Sequence, residues 1–149
     1  MAAQKVYEVG YHSFKATQIT GVTGSSFNQG GQAQNFFSDG DVYSQFAWFE
    51  NLLPEAVIST SDFSFLNTYA IGATEALLQK MPQRAAGSGK AAGSTALLMT
   101  WVAGTMFTAG NPKANQQGAS SLDLTFKGIS ADGTTAPVAI SLAAAGAPT

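Results

Sequence analysis

Gly87-Ser88-Gly89-Lys90 is the stretch whose residue types most invite a chemical reading, because glycine-flanked lysines cradle phosphates in nucleotide-binding proteins. Such a cradle needs Gly-x4-Gly-Lys-Ser/Thr between a strand and a helix, so that backbone N–H groups wrap the phosphates and the hydroxyl holds magnesium. Here Arg84 stands where the first glycine is required, and Ala91 stands where the hydroxyl is required. The segment Ala85–Thr95 therefore reads as a connector between strands. His12 is the sole histidine, and without a Gly-x-Ser-x-Gly elbow it has no nucleophile to activate; its expected place is the outer face of a strand. Asp39 and Asp41 in Ser-Asp-Gly-Asp lack the closing glutamate of a calcium loop and fit a tight turn. Glu50 and Glu55 are the remaining candidate acid and base, with nothing in their spacing to bring them together. No catalytic, cofactor or metal site is assigned, and an enzyme is not expected.

The composition shifts attention from chemistry to association. Only 11% of the 149 residues are charged, against roughly 25% in an average domain, while aromatics also reach 11%. Such an exterior is poorly defended against neighbours. The net charge of -2 gives no basic footprint for gripping nucleic acid, and the absence of cysteine removes disulfides and thiolate chemistry. The amino terminus lacks the apolar run of a signal peptide, and the uncharged stretch Ala91–Pro112 is interrupted by threonines and glycines, so no membrane partner is expected.

The elements are mostly strands. Leu122, Leu124 and Phe126 alternate with Ser121, Asp123, Thr125 and Lys127 at period two, the mark of a half-buried strand. Ala136, Val138, Ile140 and Leu142 repeat the pattern after Asp132-Gly133, which predicts an antiparallel hairpin of the two runs. A strand is predicted over Ala56–Thr60, followed by a short helix carrying Phe65, Leu66 and Tyr69, capped from Thr60, Ser61 or Asp62 and stopped at Gly72. Residues 73–81 suit either a helix extension or a strand. The uncharged run Ser94–Phe107 suits a buried strand or strand pair, and Val6–Tyr11 and Gln18–Phe27 are shorter strand candidates. The chain reads as one mainly β domain over residues 1–149. Its expected architecture is an antiparallel sandwich or partly open barrel with one short helix, a long loop or arm over 28–50 and a flexible tail over 143–149.

Within that arm Phe36, Phe37, Tyr43, Phe46, Trp48 and Phe49 crowd together. They suit a core, a platform for stacking sugar rings or an anchor between subunits.

Three segments in order, 19–46 (ITGVTGSSFNQGGQAQNFFSDGDVYSQF), 56–66 (AVISTSDFSFL) and 121–142 (SLDLTFKGISADGTTAPVAISL), resemble tailed-bacteriophage virion proteins of the tail-tube type. The resemblance implies a self-assembling β-sandwich subunit whose copies form rings, usually hexamers, that stack into a tube for genome passage in the virion. It also implies an arm that reaches a neighbouring subunit, contacts with other virion proteins and only passive contact with DNA. Asp123 and Asp132 are then the candidate lumen-facing acids, and the aromatics of the arm are the candidate intersubunit contacts. Capsid decoration, cement and head-tail joining proteins share this kind of fold and stand as alternatives; a carbohydrate-binding β-sandwich module is the alternative of another class.

Overall fold

The computed structural model describes residues 7–84 and 92–144. Among them the chain forms β1 (His12–Phe14), β2 (Thr17–Gln18), β3 (Val22–Phe36) and β4 (Phe46–Thr60), then the helix α1 (Ser64–Thr68). There follow β5 (Leu77–Arg84), β6 (Ala92–Trp101), β7 (Met106–Lys113), β8 (Ser121–Lys127) and β9 (Val138–Ala144). Two antiparallel sheets, ordered β2-β1-β5-β6-β9 and β3-β4-β8-β7, pack face to face as a β-sandwich.

Period-two alternation builds the core. Leu122, Leu124 and Phe126 of β8 point inward beside Ile58 and Ala56 of β4, while Leu77, Met99 and Trp101 face them from the other sheet. Phe65 of α1 closes one side against Phe14, Phe107 and Phe126, with ring centroids 5.1–6.0 Å apart. The helix is brief. Asp62 accepts a hydrogen bond from the Ser64 N–H at 2.9 Å, as an aspartate before a helix should, but the backbone is already extended at Tyr69, ahead of Gly72.

Residues 73–81 resolve as strand from Leu77 onward. Leu77, Gln79 and Met81 oppose Trp101, Met99 and Leu97, so the period is two and no helical extension forms. The run Ser94–Phe107 supplies two strands, one to each sheet, with 102–105 crossing between them.

Two expectations are corrected. The predicted hairpin of 121–127 with 136–142 does not form: β8 pairs with β4 and β7, whereas β9 pairs with β6 in the other sheet. The Asp132-Gly133 turn is closed on itself, with Asp132 accepting hydrogen bonds from Ser130, Thr134 and Thr135, and the loop around it carries the chain across the sandwich. His12 does not lie on an outer face. It shares parity with the core residue Phe14, sits opposite Gln79 and is fully buried.

Candidate self-assembly surface

The segment 28–50, expected as a long loop, is mostly a β-ribbon. Strands β3 and β4 stay paired from Asn28↔Glu55 out to Phe36↔Phe46, with an irregularity between Gly30 and Gln32. There a Cβ on Gly31 would approach Leu52 Cδ2 to 2.5 Å, the end of an exposed side chain that can swing aside. Only 37–45 is irregular. Its turn is held by the Asp41 N–H donating to the Ser38 carbonyl at 3.1 Å and the Ser38 N–H donating to Asp41 Oδ2 at 2.6 Å. Gly40 takes a φ of 85°, a left-handed conformation that glycine adopts without strain. The Ser-Asp-Gly-Asp sequence thus folds as a turn, and among the described residues no cluster of metal-ligating side chains forms.

What this ribbon presents is apolar. Phe36 and Phe46 are cross-strand partners, and Trp48 follows Phe46 on the same face with ring centroids 5.5 Å apart. Trp48 donates its indole N–H to Glu50 at 2.7 Å, which leaves the ring faces free for packing. Phe46 is 62% exposed, Tyr43 85% and Val42 83%, and Phe36 and Phe37 are more than half exposed. The side chain of Phe49 lies outside the described residues. Taking about 200 Å² per ring, the five described aromatics leave about 600 Å² uncovered, at the upper end of the largest patch on an ordinary monomer. These rings are not the core of their own chain.

Sequence reasoning missed Val42, Leu52 and Leu53, all well exposed on the same ribbon. The available signal was Leu52-Leu53 itself. Adjacent apolar residues on a strand point to opposite faces, so a strand lined on one face only by the core leaves one of them in solvent.

The remaining candidates are dispersed. Glu50 and Glu55, five positions apart on β4, project to opposite faces about 17 Å apart along the strand, so they form no acid/base pair. Asp123 lies on the outer face of the β3-β4-β8-β7 sheet and accepts the Ser59 hydroxyl at 2.7 Å. Asp132 lies apart from it, in the loop after β8, where donors from Thr135, Thr134 and Ser130 hold its carboxyl well below the usual carboxylate range. That carboxylate is committed to its own turn. Lys90 and the rest of 85–91 lie outside the described residues, as do 145–149 of the expected tail; the preceding tail residues, Ala143 and Ala144, end β9.

His12 is the one buried histidine. Its Nδ1–H reaches the Gly10 carbonyl at 3.3 Å, and its Nε2 has no partner among the described residues. Burial lowers its pKa, opposed by the Gly10 bond. The ring is that of a buried residue of β1.

No protein-family model matches the chain, and no curated protein is significantly similar to it.

Proposed function

We propose that this protein is a non-enzymatic structural subunit that self-assembles through its apolar ribbon, of the tailed-bacteriophage tail-tube type, its copies forming rings that stack as a conduit for DNA within the virion. The observation that carries this reading is the ribbon. A two-stranded ribbon that extends past its sandwich and exposes a cluster of aromatics is the kind of apolar patch that marks an interaction surface. With Val42, Leu52 and Leu53 added, the uncovered apolar area comes close to the roughly 800 Å² per partner of a standard protein interface.

The charges of the described residues favour a passive conduit over a gripping one. Each phosphate neutralised by a cation adds salt-dependent affinity for DNA. Lys15 is paired with Glu75 at 3.6 Å, Lys80 is nearly buried, and Lys113 and Lys127 stand at opposite ends of the β7–β8 pair. On the outer face of that sheet Asp123 and Glu55 balance the two exposed lysines. The described helix is too short to cross a membrane.

The test is to replace Tyr43 and Val42 by aspartate and compare sizes in solution. The expected result is loss of the wild-type assembly and sedimentation as a 15.4 kDa protomer with an unchanged circular dichroism spectrum. A folded variant that keeps the wild-type size would contradict assembly through the ribbon.

A further inference from the structure

The hairpin of β1 and β2 hangs on the edge of β5 by three residue pairs, His12↔Gln79, Ser13↔Leu78 and Phe14↔Leu77, and β2 is the outermost strand of its sheet. Phe14 pairs with Thr17, so the turn has two residues, and the two-residue turn that best fits a right-twisted hairpin puts both at positive φ. Asparagine and glycine take that conformation readily. Here Lys15 and Ala16 hold it, at 56° and 58°, and among the described residues no other non-glycine residue has a positive φ. The turn is therefore strained. The chain on either side is tied down. The Lys80 N–H donates to the Tyr11 carbonyl at 2.9 Å, and past β2 the Thr60 hydroxyl donates to the Thr20 carbonyl at 2.6 Å and the Ser61 N–H to the Gly21 carbonyl at 2.9 Å. A short strained span between fixed ends, joined to its sheet by three pairs, is the kind of unit that opens on its own.

Inside that span sits His12. Its ring is fully buried, its Nδ1–H is taken by the Gly10 carbonyl, and a second proton on Nε2 would be a buried charged donor with no acceptor among the described residues. The facing positions on β5 are uncharged. Gln79 and Leu77 share the ring's face, Gln79 is bonded to Ser25 and Ser26 of β3, and Lys80 projects from the opposite face of β5. The titratable groups that do touch the hairpin stand at its turn, its exit and its flank: Lys15 is paired with Glu75 at 3.6 Å, Asp62 accepts the Thr20 hydroxyl, and the Tyr69 hydroxyl donates to the Phe14 carbonyl at 3.3 Å. Burial, opposed by the Gly10 bond, lowers the pKa of the ring, and no charged group is among the causes. What holds the hairpin shut is Phe14, whose ring lies 5.0–5.8 Å from those of Tyr69, Phe126 and Phe65. We infer that residues 12–19 are an acid-released clasp: with His12 neutral the hairpin closes on β5, and with His12 protonated it lifts away, freeing the edge of β5 at Leu77–Gln79. A freed edge is a row of unpaired backbone groups that takes up another strand.

The open form takes up the proton first, with His12 titrating near its ordinary value of about 6.5, so acid favours opening. Between pH 7 and pH 5 the opening equilibrium should rise by about 5- to 25-fold, the upper figure applying if the closed ring stays neutral throughout. The test is amide hydrogen exchange of the full chain at both pH values, with each rate compared with that of an unstructured amide at the same pH. The reporters are the Lys15 and Ile19 N–H groups, which donate to the Ala76 and His12 carbonyls; the reference is Leu124 in β8, a strand paired on both sides. The reporters should be at least about tenfold less protected than Leu124, because they exchange through the local opening, and their protection should fall by about 5- to 25-fold from pH 7 to pH 5. His12→Gln should abolish that fall. Reporters as protected as Leu124 would show that the hairpin opens only with the whole sandwich and would overturn the clasp. Protection that ignores pH, or a fall that persists in His12→Gln, would overturn His12 as its trigger. If His12→Gln does not fold, Lys15→Asn with Ala16→Gly serves instead: an unstrained turn should raise reporter protection by about threefold or more at both pH values and leave the acid-dependent fall in place. Unchanged protection in that variant would overturn the strained turn as part of the device.

Discussion

Gln79 bridges the two sheets from inside the core, and replacing it by leucine tests whether this buried polar link fixes the sandwich. Its Oε1 accepts the Trp101 indole N–H at 3.0 Å, and its Nε2 donates to the Ser25 hydroxyl at 2.8 Å and to the Ser26 carbonyl at 3.3 Å. Gln79 and Trp101 are both almost completely buried, so no water replaces the lost partner. Leaving the Trp101 N–H unsatisfied costs about 1–3 kcal/mol, and losing the link to Ser25 adds about 1 kcal/mol. The greater apolarity of leucine, in a site of nearly the same volume, returns about 1 kcal/mol. The net loss is about 1–3 kcal/mol, and at about 2–4 °C per kcal/mol for a chain of this size the melting temperature should fall by about 2–12 °C. The assay is thermal unfolding followed by circular dichroism at one fixed protein concentration, because assembly shifts the midpoint by mass action. Trp101→Phe supplies the control: in the Gln79→Leu background it removes the orphaned donor and should cost less than in the wild type. A fall under about 1 °C, or no coupling between the two substitutions, would refute the assignment of energy to this bridge.

His12 predicts a pH dependence. Burial holds its folded pKa below the ordinary value of 6.5, so as pH falls through that value the unfolded chain takes up the proton first. Stability should be level above about pH 7 and decline from there toward pH 5. Melting temperatures read at half-unit steps check this, and His12→Gln should flatten the slope; an unchanged slope would assign the effect to other groups. Gly128→Ala should destabilise by about 1–3 kcal/mol through overpacking. An added Cβ would lie 2.8 Å from Trp101 Cζ3, 2.9 Å from Pro137 Cγ and 3.0 Å from Pro54 Cγ, and all three neighbours are rings with little freedom to move aside. Urea denaturation measures it, and a variant as stable as the wild type would show that the prolines yield.

The class of fold was legible because alternation is a local property. Leu122, Leu124 and Phe126 announce a half-buried strand whichever partners they find, and the β-sandwich with one short helix follows from several such runs. Partnership was not legible. β8 and β9 carry the same apolar alternation in sequence, although in β9 only Val138 is buried while Ile140 and Leu142 stay exposed, and that pattern is the same whether the strands are neighbours in one sheet or lie in different sheets. Asp132-Gly133 looked like a hairpin turn because the residues suit one, but hydrogen bonds from Ser130, Thr134 and Thr135 turn it into a closed loop that crosses between sheets. His12 was misplaced for a related reason: a three-residue strand is too short to show its period, and only its parity with Phe14 sets its face. The crowding of aromatics over 36–49 was legible as a cluster, whereas its exposure depends on β3 and β4 running past the strands that cover them elsewhere.

Sedimentation velocity of the wild-type protein over a concentration series, with negative-stain micrographs of the same samples, tests self-assembly most directly. The ribbon predicts a species many times the 15.4 kDa protomer that grows with concentration and is seen as rings or short tubes. A single 15.4 kDa boundary persisting up to the solubility limit, with no ordered particles, would contradict it.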